Sequence, residues 1–73
     1  MTNTIEKTGM ALWGNRWQTD MAEALGVSDR TVRRWAGGDE PRSGVYVDLL
    51  RIVVERQAML DDIAETLKRQ GAG

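Results

Sequence analysis

Residues Gln18 to Gly37, QTDMAEALGVSDRTVRRWAG, constrain this chain more than any other stretch. Trp17, Met21, Ala24 and Leu25 recur at helical spacing and make one apolar stripe. Gly26 ends that helix, because a left-handed backbone costs glycine little. Val27 plugs the turn, and Ser28 is a favourable N-cap for a second helix. Asp29 suits the positive end of that helix, and Gly37-Gly38 stops it. Two short helices joined this tightly must cross closely. Ala22, four residues before Gly26, is small enough to let them.

On a helical wheel of about 100° per residue, Val32 and Trp35 lie about 60° apart and define the buried face of the second helix. Arg30, Arg33, Arg34 and Gly37 fall on the opposite face. Three guanidinium forks opposite a two-residue apolar anchor match the major groove, where they pair with guanine O6 and N7 or grip phosphates. Gly37 lets the helix end approach a backbone closely. Gln18 opens the first helix, where an amide side chain and free N–H groups suit a phosphate.

The rest of the chain is also helical in pattern. Residues 1–4 are polar and expected to fray. A helix over about residues 5–13 presents Ile5, Leu12 and Trp13. Gly9 weakens it by about 1 kcal/mol relative to alanine, and Gly14 suits its C-terminal cap. Asn15 and Gln18 form a variant capping box for the next helix. Residues 39–44 form a loop containing the only proline, Pro41. Val45 to Gln70 has no internal glycine or proline and reads as helical throughout, as one long helix or a split pair. Its apolar residues Tyr46, Leu49, Val53, Leu60, Ile63 and Leu67 are spaced 3, 4, 7, 3 and 4, a heptad seam with one gap at Arg56. The seam predicts a symmetric homodimer; the alternative is that it packs back on the chain's own helices.

The fold class expected is therefore all-α, with a helix-turn-helix region over 1–38, a loop over 39–44 and a long or split dimerisation helix over 45–70. At 73 residues this is one small domain. The absence of cysteine and histidine excludes disulfides, thiol nucleophiles, zinc fingers and imidazole catalysis. No nucleophile–base pair, phosphate loop or metal constellation stands out, so an enzyme is not expected. Neither is a cofactor, a metal or a small-molecule effector. No apolar run reaches membrane-spanning length and the N-terminus lacks the pattern of a signal peptide, which points to the cytoplasm. Net charge is −1, from 10 basic and 11 acidic residues. The three arginines crowd one short helix, whereas Asp39, Glu40, Asp48, Glu55, Asp61, Asp62 and Glu65 all follow it. The Asp61-Asp62-Glu65 cluster reads as a solvated face.

WQTDMAEALGVSDRTVRRWAGG, some 22 of the 73 residues, resembles the motif of Cro/CI-type (XRE-like) helix-turn-helix regulators of phages and mobile elements, among them the anti-CRISPR-associated autorepressors. In that family Gln opens the first motif helix, Ala follows in mid-helix, then Gly-Val-Ser, then Thr-Val before the buried anchor, then glycine. The resemblance implies a dimeric transcriptional repressor that reads an inverted repeat in a promoter through the major groove. The residues expected at the DNA are Gln18, Ser28, Asp29, Arg30, Thr31, Arg33 and Arg34, with Asp29 either accepting from cytosine N4 or stabilising the helix N-terminus. Family members usually pack five helices in this domain, more than this chain offers. An antitoxin, an excisionase-like or terminase small-subunit-like factor, and a protein-binding adaptor that does not touch DNA are the other readings.

Overall fold

The computed structural model describes residues 3–72 and is all-helical among them. Helix α1 spans Thr4–Trp13, a single 3-10 turn covers Gly14–Arg16, and α2 spans Trp17–Leu25. Helices α3, Asp29–Ala36, and α4, Ser43–Ala72, complete the chain. The fraying expected of residues 1–4 is not seen at Asn3 and Thr4, which cap and open α1; Met1, Thr2 and Gly73 lie outside the described residues.

Helix α1 begins one residue earlier than its apolar pattern indicates, because Asn3 caps it. The Asn3 side-chain oxygen accepts from the Glu6 amide at 2.8 Å. Its Nδ2 donates to the carbonyls of Trp35 and Ala36, at 3.1 and 3.2 Å. One side chain therefore satisfies orphan groups at the start of α1 and at the end of α3. Gly9 is buried in α1, and a Cβ there would collide with the Trp17 indole. That glycine is a contact point between α1 and α2, not a weak spot.

The capping box expected from Asn15 and Gln18 does not form. Arg16 occupies the N-cap of α2 and no side chain caps it, because residues 14–16 are wound into the 3-10 turn. The other end of α2 follows expectation. Gly26 is left-handed at φ 70°, and the Val27 amide donates back to the Ala22 carbonyl at 3.0 Å. At the end of α3 the left-handed residue is Gly38, at φ 118°, with the Asp39 amide donating to the Arg34 carbonyl at 3.0 Å. Gly37 keeps helical geometry.

The core is Ile5, Trp17, Met21, Ala22, Val32, Trp35 and Leu49. Trp13, Leu25, Val27, Ala36, Val45, Tyr46 and Ile52 pack half-buried around it. Ala24, expected in the α2 stripe, faces water instead; Ala22 takes the inward position beside Met21. No buried side-chain polar atom lacks a partner among the described residues.

Helix α4 is one continuous helix, two residues longer at each end than the 45–70 expected from sequence, and it runs through Gly44 and Gly71. At 30 residues it is about 45 Å long, which gives the molecule its 50 × 22 × 22 Å extents. Only its first half is covered. Leu49 is 3% exposed, inside the chain's own core, and Tyr46 and Val53 are half-buried. Leu49 and Tyr46, two members of the expected dimer seam, are therefore packed in or against the intrachain core, so the seam is not available to a partner as one continuous surface. Leu60, Ile63 and Leu67 remain exposed. Arg56 fills the gap in the seam for a specific reason: its guanidinium donates to the Leu12 carbonyl at 2.8 Å, at the C-terminal end of α1.

Candidate nucleic-acid interface

Local sequence places α3. Ser28 caps it through its hydroxyl, which accepts from the Thr31 amide at 3.1 Å. The Ser28 and Thr31 hydroxyls also share a hydrogen bond of 2.9 Å. Val32 is fully buried and Trp35 nearly so, which fixes the rotation of the helix about its axis. Arg30, Arg33 and Arg34 are in consequence all exposed on the outer face, as the wheel requires. With Asn3 tying down one end and Gly26 and Ala22 setting the other, the arginines stand on a rigid support.

The three arginines are not equivalent. Arg34 Nε donates to Asp39 at 3.1 Å, an exposed ion pair across the end of the helix. Among the described residues Arg30 and Arg33 make no ion pair. Asp29, at the first turn of α3, accepts from the Thr19 hydroxyl at 3.1 Å and so links α3 to α2. One of its oxygens is occupied in holding the two helices together. Thr31 and Gln18 are half-buried; Ser28 is exposed but engaged in capping.

The first turn of α2 lies uncapped, with exposed Arg16 at its N-cap and Gln18 one residue inside. A guanidinium beside the positive end of a helix favours an anion there. Arg16 was not singled out by sequence reasoning. Its signal was present: a basic residue directly before the α2 stripe. Of the expected site residues, the structure brings Ser28, Asp29, Arg30, Thr31, Arg33 and Arg34 onto one short helix and its cap, with Gln18 on the helix packed against it.

A concavity of about 180 Å³ lies at the far end of α3 between Asn3, Ile5, Trp35, Asp39, Pro41 and Tyr46. Its polar groups are already paired: Asp39 with Arg34, and Glu40 with the Tyr46 hydroxyl at 2.9 Å. That bond to Glu40 is the main reason the phenol is held above its usual range, with partial desolvation and the Glu40 charge adding to it. Among the described residues no group of acidic side chains is arranged to hold a metal, and no helix is long and apolar enough to cross a membrane. The chain matches no protein-family model, no curated protein and no solved structure.

Proposed function

We propose that this chain is a sequence-specific DNA-binding regulator of transcription and that α3 is its recognition helix. The observation that carries the reading is the exposed Arg30–Arg33–Arg34 face set opposite buried Val32 and Trp35. A helix of eight residues is about 12 Å long, a length that enters a major groove about 12 Å wide. Arg30 and Arg33, free of carboxylate partners, are the readers of base edges. Arg34, held by Asp39, grips a phosphate. Arg16 and Gln18 at the start of α2 take the phosphate on the other side of the groove, which sets the depth and angle of α3. Ser28, Thr31 and Asp29 hold the helix and contribute to readout only through what their remaining lone pairs reach.

The chain then acts as a concentration sensor. In this reading occupancy of an operator follows protein level, and a bound copy excludes polymerase sterically. Two copies on an inverted repeat within the chain's own promoter make it an autorepressor. No enzymatic step, cofactor or metal enters this reading, and the site of action is the cytoplasm.

Selection from random duplex DNA, followed by anisotropy titration on selected and scrambled duplexes across a salt series, tests it. Arg33→Ala is expected to cost about 1–3 kcal/mol on the selected site and to relax preference at one base pair. Its thermal midpoint is expected to stay at the wild-type value, since the side chain is exposed. Failure of selection to enrich any sequence, with equal affinity for both duplexes, would overturn the proposal.

A further inference from the structure

The inner face of α4 is longer than the body it covers. Val45, Leu49, Ile52 and Arg56 lie along one side of the helix and pack on the body, Arg56 being the last through its bond to Leu12. The same side continues as Leu60, Ile63 and Leu67, which are 58%, 50% and 62% exposed, with Met59 at its edge at 66%. On the wheel these residues fall within about 80° of the direction of Leu49. The five charged residues of this segment, Asp61, Asp62, Glu65, Lys68 and Arg69, all lie about 100° or more from that direction. Gln57, Ala64, Thr66 and Gln70 flank it. Half the circumference of the helix is therefore uncharged over its last four turns.

We infer that this uncharged face is covered by the same face of a second copy of the chain, with the two α4 helices antiparallel. Three observations favour a copy over other occupants. The face offers no charge to a nucleic acid or to a charged peptide. The opposite face carries three acids against two bases, which disfavours an anionic lipid surface. And the stripe continues an interface the chain already makes, with residue types that pack equally well on themselves.

The orientation follows from where the body sits. It occupies the same side of α4 as the exposed stripe, up to Arg56. Two copies docked in parallel would place both bodies in the space between the helices. Antiparallel copies avoid this: each C-terminal half runs alongside the other and ends near the other body. The overlap is residues 57–72, about 24 Å of helix, with Ile63 opposite the partner's Leu67 and Ala64 near the two-fold axis. An overlap of that length buries less than the ~800 Å² per partner of a standard interface, so the dimer is expected to be concentration-dependent in the micromolar range. The inference stands on the fold and is independent of the DNA reading.

Sedimentation equilibrium of the full chain without DNA tests it. The mass is expected to rise with concentration from 8.2 kDa to twice that value. The double variant Ile63→Glu/Leu67→Glu is expected to stay at the monomer mass while keeping its helical circular dichroism, since neither residue is in the core. The chain has no cysteine, so introduced ones report orientation cleanly. Gln57→Cys is expected to form no disulfide with itself but to form one with Gly71→Cys when the two are mixed, and Ala64→Cys to pair with itself. A monomer at about 1 mM, the weak end of specific association, would overturn the inference. So would a dimer that survives the double glutamate variant, or self-pairing of Gln57→Cys. Capture of a different protein on this face, with the chain itself monomeric, would also overturn it. Loss of sequence-selective DNA binding in an intact dimer would instead count against the proposed function alone.

Discussion

A methyl group at Gly9 would run into the Trp17 indole, and Trp17 is 5% exposed with nowhere to swing. Two effects of opposite sign meet in Gly9→Ala. Helix propensity favours alanine by about 1 kcal/mol, and overpacking a filled core costs about 1–3 kcal/mol. The contact is with a buried ring, so sterics win: urea denaturation is expected to show a lower midpoint for the variant, and a higher one would mean α1 and α2 are further apart than described. A propensity scale contains no neighbours, which is why this glycine reads as a weakness in the sequence and as a contact in the fold. Asn3 was more accessible to sequence reasoning. Asn3-x-x-Glu6 is an N-terminal signature, though its second role, on the Trp35 and Ala36 carbonyls, depends on a packing that no local pattern contains. Tyr46, the only tyrosine, offers a direct titration. Its hydroxyl donates to Glu40, so ionisation breaks that bond and sets two negative charges side by side. The phenol titration followed by ultraviolet absorbance is expected to have its midpoint above 10.0 and to fall back in Glu40→Ala. A folded-state value raised in this way stabilises the fold below pH 10 and loses its contribution as pH rises through the higher midpoint.

Among the elements, α3 and the C-terminal end of α2 were legible nearly residue by residue, because local chemistry sets them: Gly26 left-handed, Ser28 capping, Gly38 closing α3; the start of α2 was not, because a 3-10 turn stands where a cap was expected. The orientation of α3 was legible too, since Val32 and Trp35 are the only large apolar residues in it. The partition of α4 was not. An apolar seam has the same residue types whether it is covered by the chain's own body or by another molecule, and only the position of α1 assigns Leu49 to one and Leu60 to the other. Arg56 marks the division. It reaches a carbonyl at the end of α1, where helix polarity also favours a cation. Arg56→Met keeps the aliphatic stem and removes the charged hydrogen bond. Allowing for partial exposure, it is expected to lower stability by about 1–2 kcal/mol, read as a shift in the urea midpoint with an unchanged slope. An unchanged midpoint would mean that α4 is held to α1 by Leu49 and its neighbours alone.

For the molecule as a whole, the proposed recognition helix and the proposed pairing face reside at opposite ends: α3 in the body, the exposed stripe on the projecting half of α4. Substitutions at one end should therefore leave the intrinsic property of the other intact, and only the coupling between them should change. In the proposed reading one α3 contacts one half-site, with an affinity set by Arg30, Arg33 and the phosphate contacts. A second head joined to the first binds at an effective concentration set by the connection, which raises overall affinity for a two-half-site operator by about 10²–10⁴ when both heads reach. Ile63→Glu/Leu67→Glu is thus expected to bind an isolated half-site as the wild type does and to lose that gain on the full inverted repeat. Arg33→Ala is expected to lose affinity on both while keeping the dimer mass. Titrations of the three proteins on half-site and full-site duplexes decide between this division of labour and its failure. If the glutamate variant retains full affinity for the inverted repeat, the two heads are coupled through the bodies or through the DNA, and α4 has another use.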